Sequence, residues 1–247
     1  MPVSFCAVAL RRALASFKEP IMNDEKDLVS KHLQYAQPQP ASARKAAPIA
    51  PAETLDELRA LVEGCTKCDL CETRTKIVFG SGNPHARILV IGEAPGKNED
   101  LQGEPFVGAA GKFLNELLED AGLKREDIFI ANVLKCRPPA NRNPQPHEIE
   151  ACAPYLRAQT KIINPDVIVT LGNFATQFIL RTTVGITRLR GTVQQAGRFL
   201  VLPTFHPAAA IYDRSKRDVL ISDFKQVGQI VRDRMAARSK EQESSAE

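Results

Sequence analysis

The 247-residue sequence has no stretch approaching the roughly 20 consecutive apolar residues that a membrane-spanning helix requires, so a helical membrane protein is excluded. A secretory leader is not expected either, because the apolar stretch Val3–Leu10 runs into Arg11 and Arg12 instead of a small-residue cleavage pattern. A cytoplasmic protein with no membrane partner is the expectation. No charge of one sign dominates either. Lys and Arg number 33 against 29 Asp and Glu, a net charge of +4. Residues 1–50 hold seven of those cations and four of the anions, which leaves 26 against 25 over the remaining 197 residues. Bulk charge is therefore no argument for a polyanionic partner. Any affinity for phosphate must come from local groups: Lys135, Arg137 and Arg142, then Arg188 and Arg190, then Arg214, Lys216 and Arg217. On composition alone such groups are ordinary solvated surface.

Internal repeats are absent, and so are the usual phosphate-loop patterns. GEAPGKNED, residues 92–100, follows an apolar run but fits neither G-x-G-x-x-G nor the Walker spacing, and Gly108-Ala-Ala-Gly111-Lys112 fails in the same way. What the loop does have is small residues, Gly92, Ala94 and Gly96, that let backbone approach a ligand closely, with Glu93 and Glu99 supplying carboxylates.

Six cysteines without a secretion signal point away from a disulfide framework and toward a metal site or reactive thiols. Cys65 and Cys68 form a C-x₂-C pair, and Cys136 and Cys152 form a second pair farther along. Cys71 extends the first pair to C-x₂-C-x₂-C, but the fourth Cys and the Pro of a ferredoxin run are missing. Cys6 lies apart, in the N-terminal extension. Four gathered thiolates suit tetrahedral zinc or an iron-sulfur cluster, and spacing does not choose between them. Scattered, inert thiols are the third alternative.

Residues 36–52 are Pro- and Ala-rich without a hydrophobic period, which predicts a linker after a disordered or loosely helical extension, together residues 1–52. The folded domain is expected over 53–236, with a polar tail at 237–247. Thr54 and Glu57 form a capping-box pattern ahead of Leu55, Leu58, Leu61 and Val62, so a short amphipathic helix should run up to the first cysteine pair. Beyond it, β-rich runs at Ile88–Ile91, Ile128–Leu134, Val167–Leu171 and Phe199–Pro203 alternate with helical patterns at Ala110–Ala121, Glu148–Ile163 and Phe174–Leu180. This βαβ rhythm predicts an α/β fold, a doubly wound, mainly parallel four-stranded sheet with helices on both faces and ligands at the carboxyl ends of the strands. Residues 188–202 suggest a hairpin ahead of the last strand, and a helix from about Arg214 to Met235 closes the domain. The unusual segments, Gly92–Asp100, Asn132–Arg142 and Phe205–Pro207, all follow strands, where such a sheet builds its site.

GEAPGKNED, EPFVGAAGKFL, NVLKCRPPANRNP and TFHP, in that order and with the two cysteine pairs, resemble the family 4 uracil-DNA glycosylases from about Leu58 to residue 230. The resemblance implies the glycosylase three-layer sandwich and hydrolysis of the N-glycosidic bond of deoxyuridine in base excision repair. The implied partner is uracil-containing single- or double-stranded DNA, bound by a monomer. It also implies a 4Fe-4S cluster on Cys65, Cys68, Cys136 and Cys152, with zinc as the alternative.

A base inside a duplex is out of reach, so such an enzyme must flip the nucleotide into a pocket that reads its pairing edge. By resemblance, Phe106 is the aromatic face on which uracil stacks, although a Phe beside Gly and Val ordinarily belongs to a core. Asn132 is the discriminator: its amide donates to uracil O4 and accepts from N3–H, a pattern that cytosine reverses. His206 faces uracil O2 and stabilises the charge that departs with the base. Glu93, Ala94 and Pro95 line the pocket. His147 has no counterpart and reads as surface.

Two departures from the family pattern stand out, at Ala94 and after Pro207. Ala94 stands where better-known uracil glycosylases carry a water-directing Asp, so positioning of water falls to Asn141 first and Glu99 second. Exclusion of thymine's methyl group falls to Glu99 or backbone near it. After Pro207 the bulkier family side chains are replaced by Ala208, Ala209 and Ala210, so the wedge that fills the gap in the duplex is Ile211 or Tyr212, or is weakened. CRPPANRNP lacks the inserted basic loop through which a related subclass traps uracil covalently, so ordinary turnover is expected. DNA phosphates are assigned to Lys135, Arg137, Arg142, Arg190, Arg214, Lys216 and Arg217. The rival from another class is a non-catalytic nucleic-acid-binding or polymerase-associated module on the same fold.

Overall fold

The computed structural model describes residues 49–244. The expected N-terminal extension lies almost wholly outside these residues, as does Cys6. The first helix, α1 (Leu55–Glu63), carries the anticipated capping box: Glu57 N–H donates to Thr54 Oγ1 at 3.2 Å and Thr54 N–H to Glu57 Oε2 at 3.4 Å. A short helix, α2 (Leu70–Thr73), follows the first cysteine pair.

The centre of the sheet is formed by β2 (Ile88–Gly92), β3 (Ile128–Asn132), β4 (Val167–Leu171) and β6 (Phe199–Thr204), all parallel, in the order β3-β2-β4-β6. In β2, β3 and β4 every residue is buried, as expected of parallel strands covered on both faces. Two short antiparallel edges complete a six-stranded mixed sheet. One is β5 (Gln194–Ala196), the hairpin partner of β6, and the other is β1 (Ser81–Gly82), paired with β3.

Alternate strand residues face two cores. Helix α3 (Lys97–Gln102) leaves the loop after β2, ahead of the longer α4 (Ala109–Asp120). Leu89, Ile91, Phe129, Ala131, Ile168 and Val201 pack with α1, α5 (Pro146–Ile163) and α6 (Gly172–Leu180). A single turn, α7 (Ile186–Leu189), then leads to the β5–β6 hairpin, and α8 (Pro207–Tyr212) follows β6. Ile88, Val90, Ile130, Val169 and Leu202 pack with α4 and α9 (Ser215–Ser244). Two buried carboxylates tie α9 to the sheet. Asp166 takes Arg87 at 3.1 Å and Arg238 at 2.5 Å. Asp223 takes Arg190 and the hydroxyl of Thr204, the latter at 2.5 Å.

The helix expected to close near Met235 runs on to Ser244. The added residues are mostly Lys, Glu, Gln and Ser with no Gly or Pro, and nothing in them stops a helix. The strand expected to reach Leu134 ends at Asn132, yet Val133 and Leu134 N–H still donate to Gly92 and Glu93 carbonyls at 2.9 and 3.0 Å. The segments after β2 and β3 therefore leave the sheet zipped together.

Candidate active site and cysteine cluster

Strand β2 lies between β3 and β4, so the connections leaving its carboxyl end and those of its neighbours diverge and open a crevice. A cavity of about 400 Å³ occupies it. Of the residues expected to hold substrate, Glu93, Ala94, Pro95, Phe106, Asn132 and His206 all line it, together with Glu99 and Asn141.

Gly92 is paired with Asn132 in the sheet register, and this pairing sets the pocket floor. A Cβ at Gly92 would overlap Asn132 Oδ1 and come within 3.0 Å of the Phe106 ring. Only glycine leaves room for both. Asn132 is 2% exposed, and among the described residues its side-chain amide has no hydrogen-bond partner. No buried side-chain polar atom is left unsatisfied among the described residues, so the amide is reached by cavity solvent and is free to exchange it for a ligand.

Phe106 sits on a strained turn with φ +55°, a region that favours glycine. Three groups hold it there. Arg125 Nη1 donates to the Phe106 carbonyl at 3.3 Å, and Arg125 Nη2 to the Pro105 carbonyl at 2.6 Å. Val107 and Gly108 N–H both donate to Glu99 Oε1 at 3.0 Å, placing that carboxylate at the amino end of α4. Gly111 makes room for the Phe106 carbonyl, with which any Cβ would collide. Glu99 is in turn carried by α3.

His206 caps α8, its Nδ1 accepting the Ala208 N–H at 3.2 Å. Its ring lies 5.6 Å from that of Phe106 at an interplanar angle of 26°. Burial lowers its pKa to about 4, partly opposed by the charge of Glu99. The imidazole is thus neutral near pH 7. With Nδ1 accepting, the proton sits on Nε2, which can donate. Burial also raises the pKa of Glu93.

Asn141 follows Ala140 on a turn where both residues have positive φ, 53° and 52°. The side chain is exposed on the cavity rim, and its Oδ1 accepts from Arg137 Nε at 2.7 Å. Arg142 forms a two-pronged pair with Glu148 at 2.5 and 3.0 Å, and this pairing lowers the Glu148 pKa against the opposing effect of burial.

The expected phosphate contacts divide. Lys135 is a correction: it is 1% exposed, with Nζ donating to the Asn132 carbonyl at 2.8 Å and to Gln159 Oε1 at 2.6 Å, so it cannot reach a phosphate. Burial lowers its pKa to about 8. Arg190 is paired with Asp223 and lies 5.9 Å from the centre of the Phe205 ring, which Lys216 approaches at 5.6 Å. Arg217 pairs with Glu116, and Arg214 is exposed. At the end of α8, Ile211 is 47% and Tyr212 90% exposed, about a turn beyond His206.

Cys65, Cys68, Cys136 and Cys152 line one small void, of about 20 Å³, between α1 and α5. Burial pushes the Cys68 thiol up to about 11 and Cys152 to about 12, and raises Cys136. Two donors face the sulfurs: Arg74 Nη1 at 3.4 Å from Cys136 Sγ and the Lys135 N–H at 3.2 Å from Cys152 Sγ. Such N–H···S contacts suit thiolates better than thiols. Among the described residues no three Cys, His, Asp or Glu side chains stand as a site for a single metal ion.

Four residues of the site leave no usable signal in the sequence. The Arg125 clamp lies twenty residues from the loop it holds. Lysine after a strand reads as surface, which hides the burial of Lys135. Ala110 and Pro138, also in the cavity wall, carry no functional group that could mark them.

An α/β sandwich with a loop-built cavity at the carboxyl ends of its strands, presenting a buried amide and a neutral histidine, defines a class. The family model described as the uracil DNA glycosylase superfamily matches residues 79–230. The chain is 49% identical over 188 residues to the type-4 uracil-DNA glycosylase of Archaeoglobus fulgidus, covering 72% of this chain and 94% of that protein. It is 44% identical over 187 residues to that of Sulfurisphaera tokodaii, covering 72% and 85%. It belongs to the type-4 uracil-DNA glycosylases. A more distant likeness, 31% over 157 residues, is to the DNA polymerase of Bacillus phage SP01, of which it covers 17%.

Proposed function

We propose that the protein hydrolyses the N-glycosidic bond of deoxyuridine flipped out of DNA, releasing uracil and leaving an abasic site. The observation that carries this reading is the buried Asn132 amide, without a protein partner and open to a cavity beside Phe106 and His206. Uracil fills it with O4 on the amide N–H and N3–H on the amide oxygen, which cytosine cannot match.

The reaction needs water to attack C1′ while the C1′–N1 bond breaks and the electron pair leaves on the base. The proton that the water loses ends on the base, giving a 1′-hydroxyl on the sugar and neutral uracil. The departing charge spreads onto O2, where His206 Nε2–H donates a hydrogen bond, held in place by the Nδ1 contact to Ala208. A neutral donor is sufficient, and the low pKa keeps it neutral. Asn141, on the rim, positions the water, and Glu99 acts chiefly by fixing the Phe106 loop through Val107 and Gly108. Ile211 or Tyr212 enters the duplex. Arg137, Arg142, Arg214, Lys216 and Arg217 meet phosphates, with Arg190 contributing mainly through Asp223.

The four cysteines hold a 4Fe-4S cluster. All four residues line one void, and N–H donors from Arg74 and Lys135 face the sulfurs of Cys136 and Cys152, so these side chains would hold such a cluster as thiolates. The cluster's contribution is structural, joining α1 to the segment after β3. The domain begins near residue 53, after an extension, runs through the helix that ends at Ser244, and acts as a monomer on single- or double-stranded DNA. Among the described residues no helix is long and apolar enough to cross a membrane.

Incubation with a uracil-containing oligonucleotide, followed by alkaline cleavage of abasic sites, tests the reading. Strand breaks at uracil are expected. Retained DNA binding without breaks would favour the non-catalytic module.

A further inference from the structure

A second cavity, of about 780 Å³, opens at the other end of the sheet. It is lined by Ile168 and Phe199, at the starts of β4 and β6, and by the last turns of α5 and α6, whereas the uracil pocket follows the strand ends. Its floor is apolar. Phe178, Ile179 and Leu180 form a run at the end of α6 that, like Phe199, is only half-buried.

The rim is basic. Arg157, Lys161, Arg181 and Arg198 line the cavity, no Asp or Glu does, and among the described residues none of the four is paired with a carboxylate. Lys161, in the last turn of α5, and Arg181, which caps α6, offset the partial negative charge of the helix ends. Arg157 and Arg198 have no such role. The Arg157 guanidinium stands 6.0 Å from the centre of the Phe178 ring, and that of Arg198 stands 4.9 Å from Phe199, so both charges are held over the apolar floor.

We propose that this groove docks an acidic peptide segment of a partner protein, one carrying aromatic or aliphatic anchor side chains. The anchors fill the space between Phe178 and Phe199, and the flanking carboxylates pair with Arg157 and Arg198. The basic rim calls for an anionic occupant and the aliphatic Ile179 and Leu180 for apolar anchors, while a DNA strand engaged at the strand ends, where a flipped base enters, lies at the opposite side of the sheet.

The test is fluorescence anisotropy of the full chain with a fluorescein-labelled synthetic peptide, a run of aspartates ending in a phenylalanine–leucine block. The expected result is saturable binding, weakened at least about tenfold by Arg157→Glu with Arg198→Glu and retained by the Arg157→Lys, Arg198→Lys pair, since two ion pairs are lost together and replaced by like-charge repulsion. Uracil excision by all these variants should stay at the wild-type rate, which separates failure of this proposal from failure of the catalytic reading. Equal affinity of wild type and the Glu variant would overturn it. So would equal binding of a peptide with asparagines in place of the aspartates. Displacement of the peptide by a uracil-free oligonucleotide would assign the groove to nucleic acid, and self-association abolished by the Glu variant would assign it to a second copy; either result overturns the proposal.

Discussion

His206 Nδ1 accepts the backbone N–H of Ala208 at 3.2 Å, so the ring's tautomer is set by the first turn of the helix that it caps. The donor facing the pocket is then Nε2–H, preorganised before substrate arrives. Replacing His206 with Ala should lower single-turnover excision by about 100- to 1,000-fold, the usual cost of losing one such donor. Unchanged kinetics would remove His206 from the chemistry.

The same residue imposes a pH signature on stability. Folded His206 titrates at about 4, against the ordinary 6.5 of an unfolded chain. Between those values the unfolded chain binds a proton that the folded one does not, so the stabilisation is complete above pH 6.5 and is lost as pH falls toward 4. Melting temperature measured against pH should fall less steeply over this window in His206→Ala than in the wild type. Identical slopes would mean that the imidazole is not held neutral.

Gly92 offers a test that involves no chemical group. Gly92→Ala adds only a methyl group, but it overlaps Asn132 Oδ1 and presses on the Phe106 ring. Excision should drop by at least about tenfold while the protein stays folded with a melting temperature lowered by some degrees, because the overlap is with side chains and the strand backbone at residue 92 needs no special φ. A variant with wild-type activity would show that the amide and ring are not fixed where substrate must lie.

Much of this arrangement is legible in the sequence. The parallel strands announce themselves as apolar runs, such as Ile88–Ile91, and unusual polar residues placed directly after them mark the cavity. Edge strand β1 is not legible, because it has two residues and depends on the positive φ of Gly80 and Gly82, which no hydrophobic period records. Lys135 and Arg125 escape a sequence reading for a shared reason: their partners, Gln159 and the carbonyls of Pro105 and Phe106, are fixed by tertiary packing rather than by neighbouring sequence. The basic groove at Phe178 and Phe199 likewise exists only once a helix end and a hairpin meet.

Arg125 is a positioning residue, acting through the left-handed turn at Phe106. Arg125→Ala should raise KM for uracil-containing DNA more than it lowers kcat, as the stacking face loses its fixed place, and Arg125→Lys should restore part of the loss. Equal changes in both variants, with kcat alone affected, would contradict this role.

For the cysteine cluster, purified protein should be brown with broad visible absorbance, and Cys136→Ala should lose both the colour and several degrees of thermal stability. A colourless protein carrying stoichiometric zinc would refute the cluster. Untouched folding and activity in the variant would refute its structural role.

The most direct test concerns the Asn132 amide, since the proposed reading of the base rests on it. In protein with ¹⁵N-labelled asparagine, free uracil should shift the Asn132 side-chain N–H₂ resonances in a saturable way, and cytosine at equal concentration should leave them in place. Resonances that stay unmoved at saturating uracil, in protein that still excises it, would show that the base is read elsewhere.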